Sequence, residues 1–358
     1  MPRPSVPALL VLCAVFVLGT AGAAGAAPGD LDPSFGTGGQ VRMLESNEES
    51  FAQAVAVQPD GKIVVAGYDR GNAIVARLLP NGALDPSFGN GGQTKTVVPT
   101  GFSAFLAVTI QPDGEIVAVG SAKGAVNRDF LFARYSIDGA PDGDFGGGDG
   151  VELVPVGAED DDAKAVAIGP GGRIVATGEA GLPLENHAAG VVVLLSNGAP
   201  DPGFGGGDGV VLKETAGKLD TGVAVAALGD GGIVVGDINA TGAGLGFVLL
   251  KLRSDGEYDN GFGGGDGISV TPIPVDGAPI VAGAMADMTI LPDGRIVAAG
   301  NGVDYTGSPP AYHQKLAAVR YLANGELDPS FATGGIFTHR DGRESRIATI
   351  EPAEAGGY

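Results

Sequence analysis

Residues 54–67 read AVAVQPDGKIVVAG, and residues 107–120 read AVTIQPDGEIVAVG. Each stretch is a β-branched run, a tight turn and a second β-branched run. Pro59 presets φ for the turn, and Asp60 and Gly61 suit its remaining positions. The runs are too short for helices, so the pattern predicts a hairpin. AVAIGPGGRIVATG (165–178) and DMTILPDGRIVAAG (287–300) repeat it, and VAVAALGDGGIVVG (223–236) is a degraded copy. Asp113–Gly114 and Asp293–Gly294 are the corresponding turn residues.

A third run follows each hairpin, as in AIVARLLPNG (73–82) and FVLLKLRSDG (247–256), and ends in an N-G or D-G turn. Next comes a cassette such as NGALDPSFGNGGQ (81–93), then a short fourth run such as GVELVPV (150–156). The cassette phenylalanines are Phe35, Phe88, Phe145, Phe204, Phe262 and Phe331, spaced by 53, 57, 59, 58 and 69 residues. Asp85 and Ser87 can bond local backbone groups, and the glycines after Phe88 take unusual dihedrals at little cost. Phe88 and its five counterparts are expected to be anchors buried between repeats.

Four short strands at this period describe a β-propeller blade, which buries both faces of its sheet only by stacking on neighbours. The expected fold is all-β: a propeller of five complete blades plus a partial sixth, in one domain over residues 31–358. A β-helix or open array is the alternative. The tail EPAEAGGY (351–358) resembles an eroded QPDGKIVVAGY. A strand near residues 40–44 is expected to pair with C-terminal material; a closed five-blade ring that recruits these flanks is the other possibility.

The cassette GALDPSFG (82–89) and the hairpin QPDGKIVVAG (58–67) together resemble the delta-sixty repeat family of bacterial secreted proteins. The resemblance extends over nearly all of residues 31–352. It implies a propeller-like β fold and brings no catalytic residues with it. The middle cassettes GAPDGDFG (139–146), GAPDPGFG (198–205) and GEYDNGFG (256–263) keep Asp and Phe but lose Leu and Ser.

The first 26 residues read as a signal peptide: Arg3, the apolar core ALLVLCAVFVLG (8–19), then small residues with Ala24 and Ala26 in the A-x-A positions. An uncleaved anchor is the alternative, although the apolar run is short for a span. The chain carries a formal charge of -21. That excludes polyphosphate backbones as natural partners and disfavours an anionic membrane surface. The only cysteine, Cys13, lies in the leader.

Little chemistry stands out. His187, His313 and His339 lie in different repeats and form no metal-ligand pair. No nucleophile elbow or phosphate loop is present. Asp304 and Glu159–Asp162 are the acids considered for a glycosidase-like pair, against the reading of solvated loops. Asp149, Asp208 and Asp266 each follow three glycines in FGGGDG and could approach calcium with Asp142, Asp144, Asp201 or Asp259. Glycine turns are the simpler reading, and no metal or cofactor is expected. The insertion NGVDYTGSPPAYHQK (301–315) gathers Tyr305, Tyr312 and His313 in what is expected to be an exposed binding loop. The functional expectation is a secreted or surface scaffold that binds an extracellular protein or glycan. A carboxylate-dependent hydrolase of a glycan or similar polymer is the alternative.

Overall fold

The computed structural model describes residues 30–43, 49–98, 101–184, 186–213, 220–239, 246–273, 282–306, 311–339, 347 and 349–350. Residues 1–26, where a signal peptide is expected, and the tail 351–358 lie outside these residues.

Five four-stranded antiparallel sheets follow one another along the chain. The first contains β1 (Ser50–Val57), β2 (Ile63–Asp69), β3 (Asn72–Leu78) and β4 (Gln93–Thr96). The second contains β5 (Ser103–Ile110), β6 (Ile116–Lys123), β7 (Arg128–Tyr135) and β8 (Val151–Val154). β9 (Asp162–Ile168), β10 (Ile174–Leu182), β11 (Asn186–Leu194) and β12 (Val210–Lys213) form the third. The fourth holds β13 (Asp220–Ala227), β14 (Ile233–Asn239), β15 (Gly246–Leu252) and β16 (Ile268–Pro272). The fifth holds β17 (Ala282–Ile290), β18 (Ile296–Thr306), β19 (Ala311–Tyr321) and β20 (Ile336–His339). In every sheet the strands lie in chain order. First strands of consecutive sheets pack together, β1 on β5, β5 on β9, β9 on β13 and β13 on β17. This is the blade arrangement of a propeller.

The core is divided among the joints between blades. One cluster joins Val64, Val75 and Phe88 to Phe105, Ile116 and Leu131, and a second joins Val117, Phe132 and Phe145 to Ile174 and Val192. Two more hold the third blade to the fourth and the fourth to the fifth. At each joint the glycine after the cassette phenylalanine donates its N–H to the turn of the next blade. Gly89 reaches the Asp138 carbonyl at 2.8 Å, Gly146 reaches Asn197 at 3.0 Å, Gly205 reaches Asp255 at 3.2 Å and Gly263 reaches Asn324 at 2.9 Å. The phenylalanine lies under the glycine of that same turn: a Cβ on Gly139 would stand 2.7 Å from the Phe88 ring, and one on Gly325 2.6 Å from Phe262. These turn glycines also have positive φ, so two constraints select glycine.

A cation covers the cassette. Arg77 donates through Nε to Asp85 at 2.9 Å, lies over the Phe88 ring and bonds the Ile137 carbonyl of the next blade. Arg134 repeats this with Asp142, Phe145 and the Ser196 carbonyl. The third blade has Val193 at this position, and Arg173 from the neighbouring turn forms an ion pair with Asp201 at 2.7 Å instead. Lys251 pairs with Asp259 at 2.9 Å in the fourth blade and Arg320 with Asp328 at 2.8 Å in the fifth. The cassette Asp also orders its own turn: Asp85 Oδ1 accepts the Ser87 N–H at 3.0 Å and its hydroxyl at 2.6 Å. Those Ser87 bonds, with the Arg77 charge, outweigh burial and hold the Asp85 carboxyl far below its ordinary range.

Every first strand carries a bulge, at Gln53, Leu106, Lys164, Val223 and Ala286. Opposite it, a Cβ on Gly67, Gly120, Gly178 or Gly300 would meet a facing carbonyl oxygen at 1.9 to 2.1 Å. The glycine ending the IVVAG motif is therefore required by the bulge.

Several expectations need adjustment. Phe88, Phe145, Phe204 and Phe262 are fully buried, whereas Phe35 and Phe331 are only partly so, each having a blade on one side only among the described residues. No sixth sheet forms among the described residues. Residues 31–43 hold one isolated bridge, between Gly36 and Gln40, and pair with no C-terminal strand among the described residues. The insertion at 301–315 is not a loop throughout: it lengthens the β18–β19 hairpin, pairing Asp304 with His313 and Tyr305 with Tyr312. β-Branched and aromatic residues such as Val303, Tyr305 and Tyr312 favour this continuation of the ladder. The side chains of 303–306 and 311–314 lie outside the described set.

Candidate functional site

The two rims of the molecule differ. On one, the β1–β2 type of turn is five residues long in every blade, at 58–62, 111–115, 169–173, 228–232 and 291–295. Asp60, Asp113 and Asp293 each accept the N–H two residues on at 3.1 Å, and Gly61, Gly114 and Gly294 have φ of 80°, 91° and 85°. The cassettes lie on this rim too. On the other rim, the β2–β3 type of connection ranges from two residues (70–71) to six (240–245), and the links between blades from six (97–102) to nine (273–281). The loops of one rim are therefore uniform and those of the other vary in length from blade to blade.

Two side-chain groups stand on that variable rim. In the first, Phe51 and Tyr68 form a cross-strand pair with centroids 5.2 Å apart, and Phe102 from the next link meets Tyr68 edge-on at 5.9 Å. Phe51 is 52% exposed and Phe102 43%. Beside them Asp69 accepts the Ser50 hydroxyl at 2.7 Å and pairs with Lys95 at 2.5 Å. The Lys95 bond, then that of Ser50, lowers the Asp69 pKa.

The second group lies across the third and fourth blades. Glu179 accepts from Lys164 Nζ at 2.8 Å and from the Thr221 hydroxyl at 3.4 Å, and His187 Nδ1 lies 3.0 Å away. Lys164 is the bulged residue of β9, and the bulge aims it at Glu179. Burial opposes the Glu179 charge, but Lys164 and His187 outweigh it and the pKa falls below its ordinary value. Next to this group the bulge pairing is inverted. Gly222 is on the first strand and Asp237 is opposite it, where the other blades carry glycine. Asp237 is fully buried; one oxygen accepts the Thr221 N–H at 2.8 Å and Oδ2 has no partner. Burial, reinforced by Asp220, raises its pKa well above the usual range.

Most acids singled out in the sequence have structural work. Asp161 is buried and accepts N–H groups from Val156, Gly157 and Gly181 at 2.9 to 3.1 Å, and Asp160 accepts that of Arg128 at 2.8 Å. Asp162 is 3.4 Å from Arg128, and Glu159 bonds through its backbone to the Gly181 carbonyl. Asp149, Asp208 and Asp266 each accept the N–H two residues on at 3.0 Å, and Asp144 donates its own N–H to Asp142. Among the described residues no group of three or more His, Cys, Asp or Glu could hold a metal ion. His339 stacks on Phe337 in β20 and so shares the fifth blade with His313 of β19, rather than lying in a separate repeat. Between the blades, at the outer edge, one groove of about 560 Å³ is lined by Glu152 and Asp208 together with Val154, Val156 and Leu212. Burial, then the Asp149 charge, raises the Glu152 pKa.

The family described as "Domain of unknown function (DUF5122) beta-propeller" matches residues 58–88, 111–145 and 291–331. No curated protein matches the chain. Among solved structures, it is similar to a virginiamycin B lyase from Staphylococcus aureus, with 14% identity, 75% of this chain and 85% of that one covered, and a TM-score of 0.34. An endo-1,4-beta-xylanase from Bacteroides thetaiotaomicron gives 10% identity, 85% and 100% coverage and a TM-score of 0.38. An ulvan lyase gives 13% identity, 80% and 74% coverage and a TM-score of 0.41. These likenesses concern the fold. Among the described residues no helix is long and apolar enough to cross a membrane.

Proposed function

We propose that the protein is a secreted or cell-surface binding scaffold and that its variable rim engages an extracellular protein or glycan. The observation that carries this reading is the exposed aromatic group Phe51, Tyr68 and Phe102, standing beside hydrogen-bonding Asp69 and Lys95. Aromatic rings supply contact area at small entropic cost, and the neighbouring polar groups orient a ligand. The test is binding to glycan and peptide arrays, comparing the native chain with Phe51→Ser and Phe102→Ser. A ligand retained by the native chain and lost at least tenfold by both variants supports the rim. Unchanged binding in both variants removes it.

A second reading, the carboxylate-dependent hydrolase, is favoured by Glu152 and Asp208 in one outer groove, where Glu152 has the raised pKa of a general acid. Release of reducing ends from polysaccharide, abolished by Glu152→Gln and by Asp208→Asn, is the expected result on this reading. Activity that survives both substitutions excludes this pair.

A further inference from the structure

The two ends of the row of blades carry incomplete copies of the same joint. At the first blade, residues 31–39 occupy the place that a preceding blade's cassette would fill: Gly36 donates to the Asn81 carbonyl at 2.8 Å, and a Cβ on Gly82 would meet Val41 and the Gly36 backbone. This covers the outer part of the face. The inner part is bare, with Val55 62% and Val57 65% exposed, although the matching Val108 and Ile110 pack against the blade before them. At the fifth blade the coverage is reversed. Near the inner strand, Ile347 N–H bonds Asn301, while the Thr349 hydroxyl and Ile350 N–H bond Asp287, at 2.7 to 3.1 Å. There Val297 and Ala299 are buried. Among the described residues nothing covers the outer part, with the partly buried Phe331 and the 47% exposed Phe337.

The fifth blade's cassette is fully formed. Arg320 bonds Asp328 and Ser330 and lies over Phe331, as Arg77 does at Phe88. Among the described residues the Ala332 N–H meets no turn carbonyl, which Gly89, Gly146, Gly205 and Gly263 all do. LDPSFATGG (327–335) differs from LDPSFGTGG (31–39) at one position only, Ala332 against Gly36. The seat at Asn81–Gly82 therefore holds a near-copy of the cassette that lacks a seat.

We propose that the fifth blade of one copy docks head to tail on the first blade of a second copy, with the Phe331 cassette taking the Asn81–Gly82 seat. The incoming β1 covers the inner half of the face, in place of residues 347–350, and a complete joint replaces two half-covered ends. Residues 31–39 thus act as a cap that keeps the seat filled within each chain. Such a contact is heterologous and extends into chains unless its rotation closes.

Sedimentation velocity over a concentration series tests this on the full chain. Phe35→Asp, which loosens the cap, is expected to raise the average mass to two or more chains as concentration rises. Phe331→Asp and the double variant are expected to remain at one. A native-like Phe35→Asp variant that stays at one chain overturns the proposal, as does a double variant that associates equally. A second measurement carries Phe35→Asp in every chain, so that the seat is open. Chains carrying Asn81→Cys and chains carrying Ala332→Cys, each with Cys13→Ser, are mixed under oxidising conditions. A disulfide-linked dimer in clear excess over either population alone is expected, and no excess overturns the proposal.

Discussion

Phe88 and Phe331 follow the same four residues, Leu-Asp-Pro-Ser, and have different surroundings. Both follow Asp-Pro-Ser, both lie under an arginine, and both cassettes close the same internal turn. Phe88 is sealed by Gly139 of the next blade, while Phe331 has no such cover among the described residues and is only partly buried. The cassette therefore folds from local bonds, and its contribution to stability comes from the neighbour.

The largest test of that difference is removal of the ring. Phe88→Ala should cost about 3–5 kcal/mol in urea denaturation, and Phe331→Ala no more than about 1.5 kcal/mol. Equal losses would mean that the ring acts within its own blade. The carboxylate comes next. Asp85→Ala leaves Arg77 buried beside Phe88 without its partner and should cost about 3 kcal/mol. Asp32→Ala, in an exposed cassette, should leave the denaturation midpoint unchanged. The Asp85 pKa is lowered by folding, so its stabilisation is present above the ordinary carboxylate range and is lost as the pH falls through the lowered value. Acid titration of the native protein and the Asp85 variant should converge.

Glycine substitutions separate strain from crowding. Gly139→Ala meets both a left-handed φ of 83° and the Phe88 ring, and should cost about 2–3 kcal/mol. Gly334→Ala, with φ of 61° and open space around it, should cost about 1 kcal/mol. The smallest effect distinguishes the third joint. Asp237 has a raised pKa in the folded state, so its contribution is greatest below the unfolded carboxylate pKa and declines as pH rises towards the folded one. Asp237→Asn should flatten that decline and gain about 1 kcal/mol at pH 8. Thermal melts from pH 4 to pH 8 measure it, and parallel curves for the two proteins would reject the assignment.

The repeat and its strands were legible because β-branched runs and turn residues recur in fixed order. The joints were only half legible. The cassette phenylalanine is visible as a repeated large apolar residue, but the glycine covering Phe88 lies in the next unit, at Gly139. The clamp had a signal that went unread: Arg77–Asp85, Arg134–Asp142, Lys251–Asp259 and Arg320–Asp328 all share one spacing of eight residues. Asp237 also left a trace, since IVVGD stands where the other repeats read IVVAG or close variants. The aromatic group could not be read, because Phe51, Tyr68 and Phe102 come from three segments that meet only when the strands pair and the link folds back. The acids drew attention by number, yet local turn bonds account for most of them.

The cassette-glycine hydrogen bonds run in one direction, to a turn about fifty residues downstream: Gly36 to Asn81, Gly89 to Asp138, Gly146 to Asn197. A chain emerging amino end first releases each cassette before the carbonyl that receives it. Every sheet therefore waits, with one face wet, until its successor has been made. Completion travels along the chain as a wave one blade behind the emerging end, and an interrupted chain always leaves its newest blade unsealed.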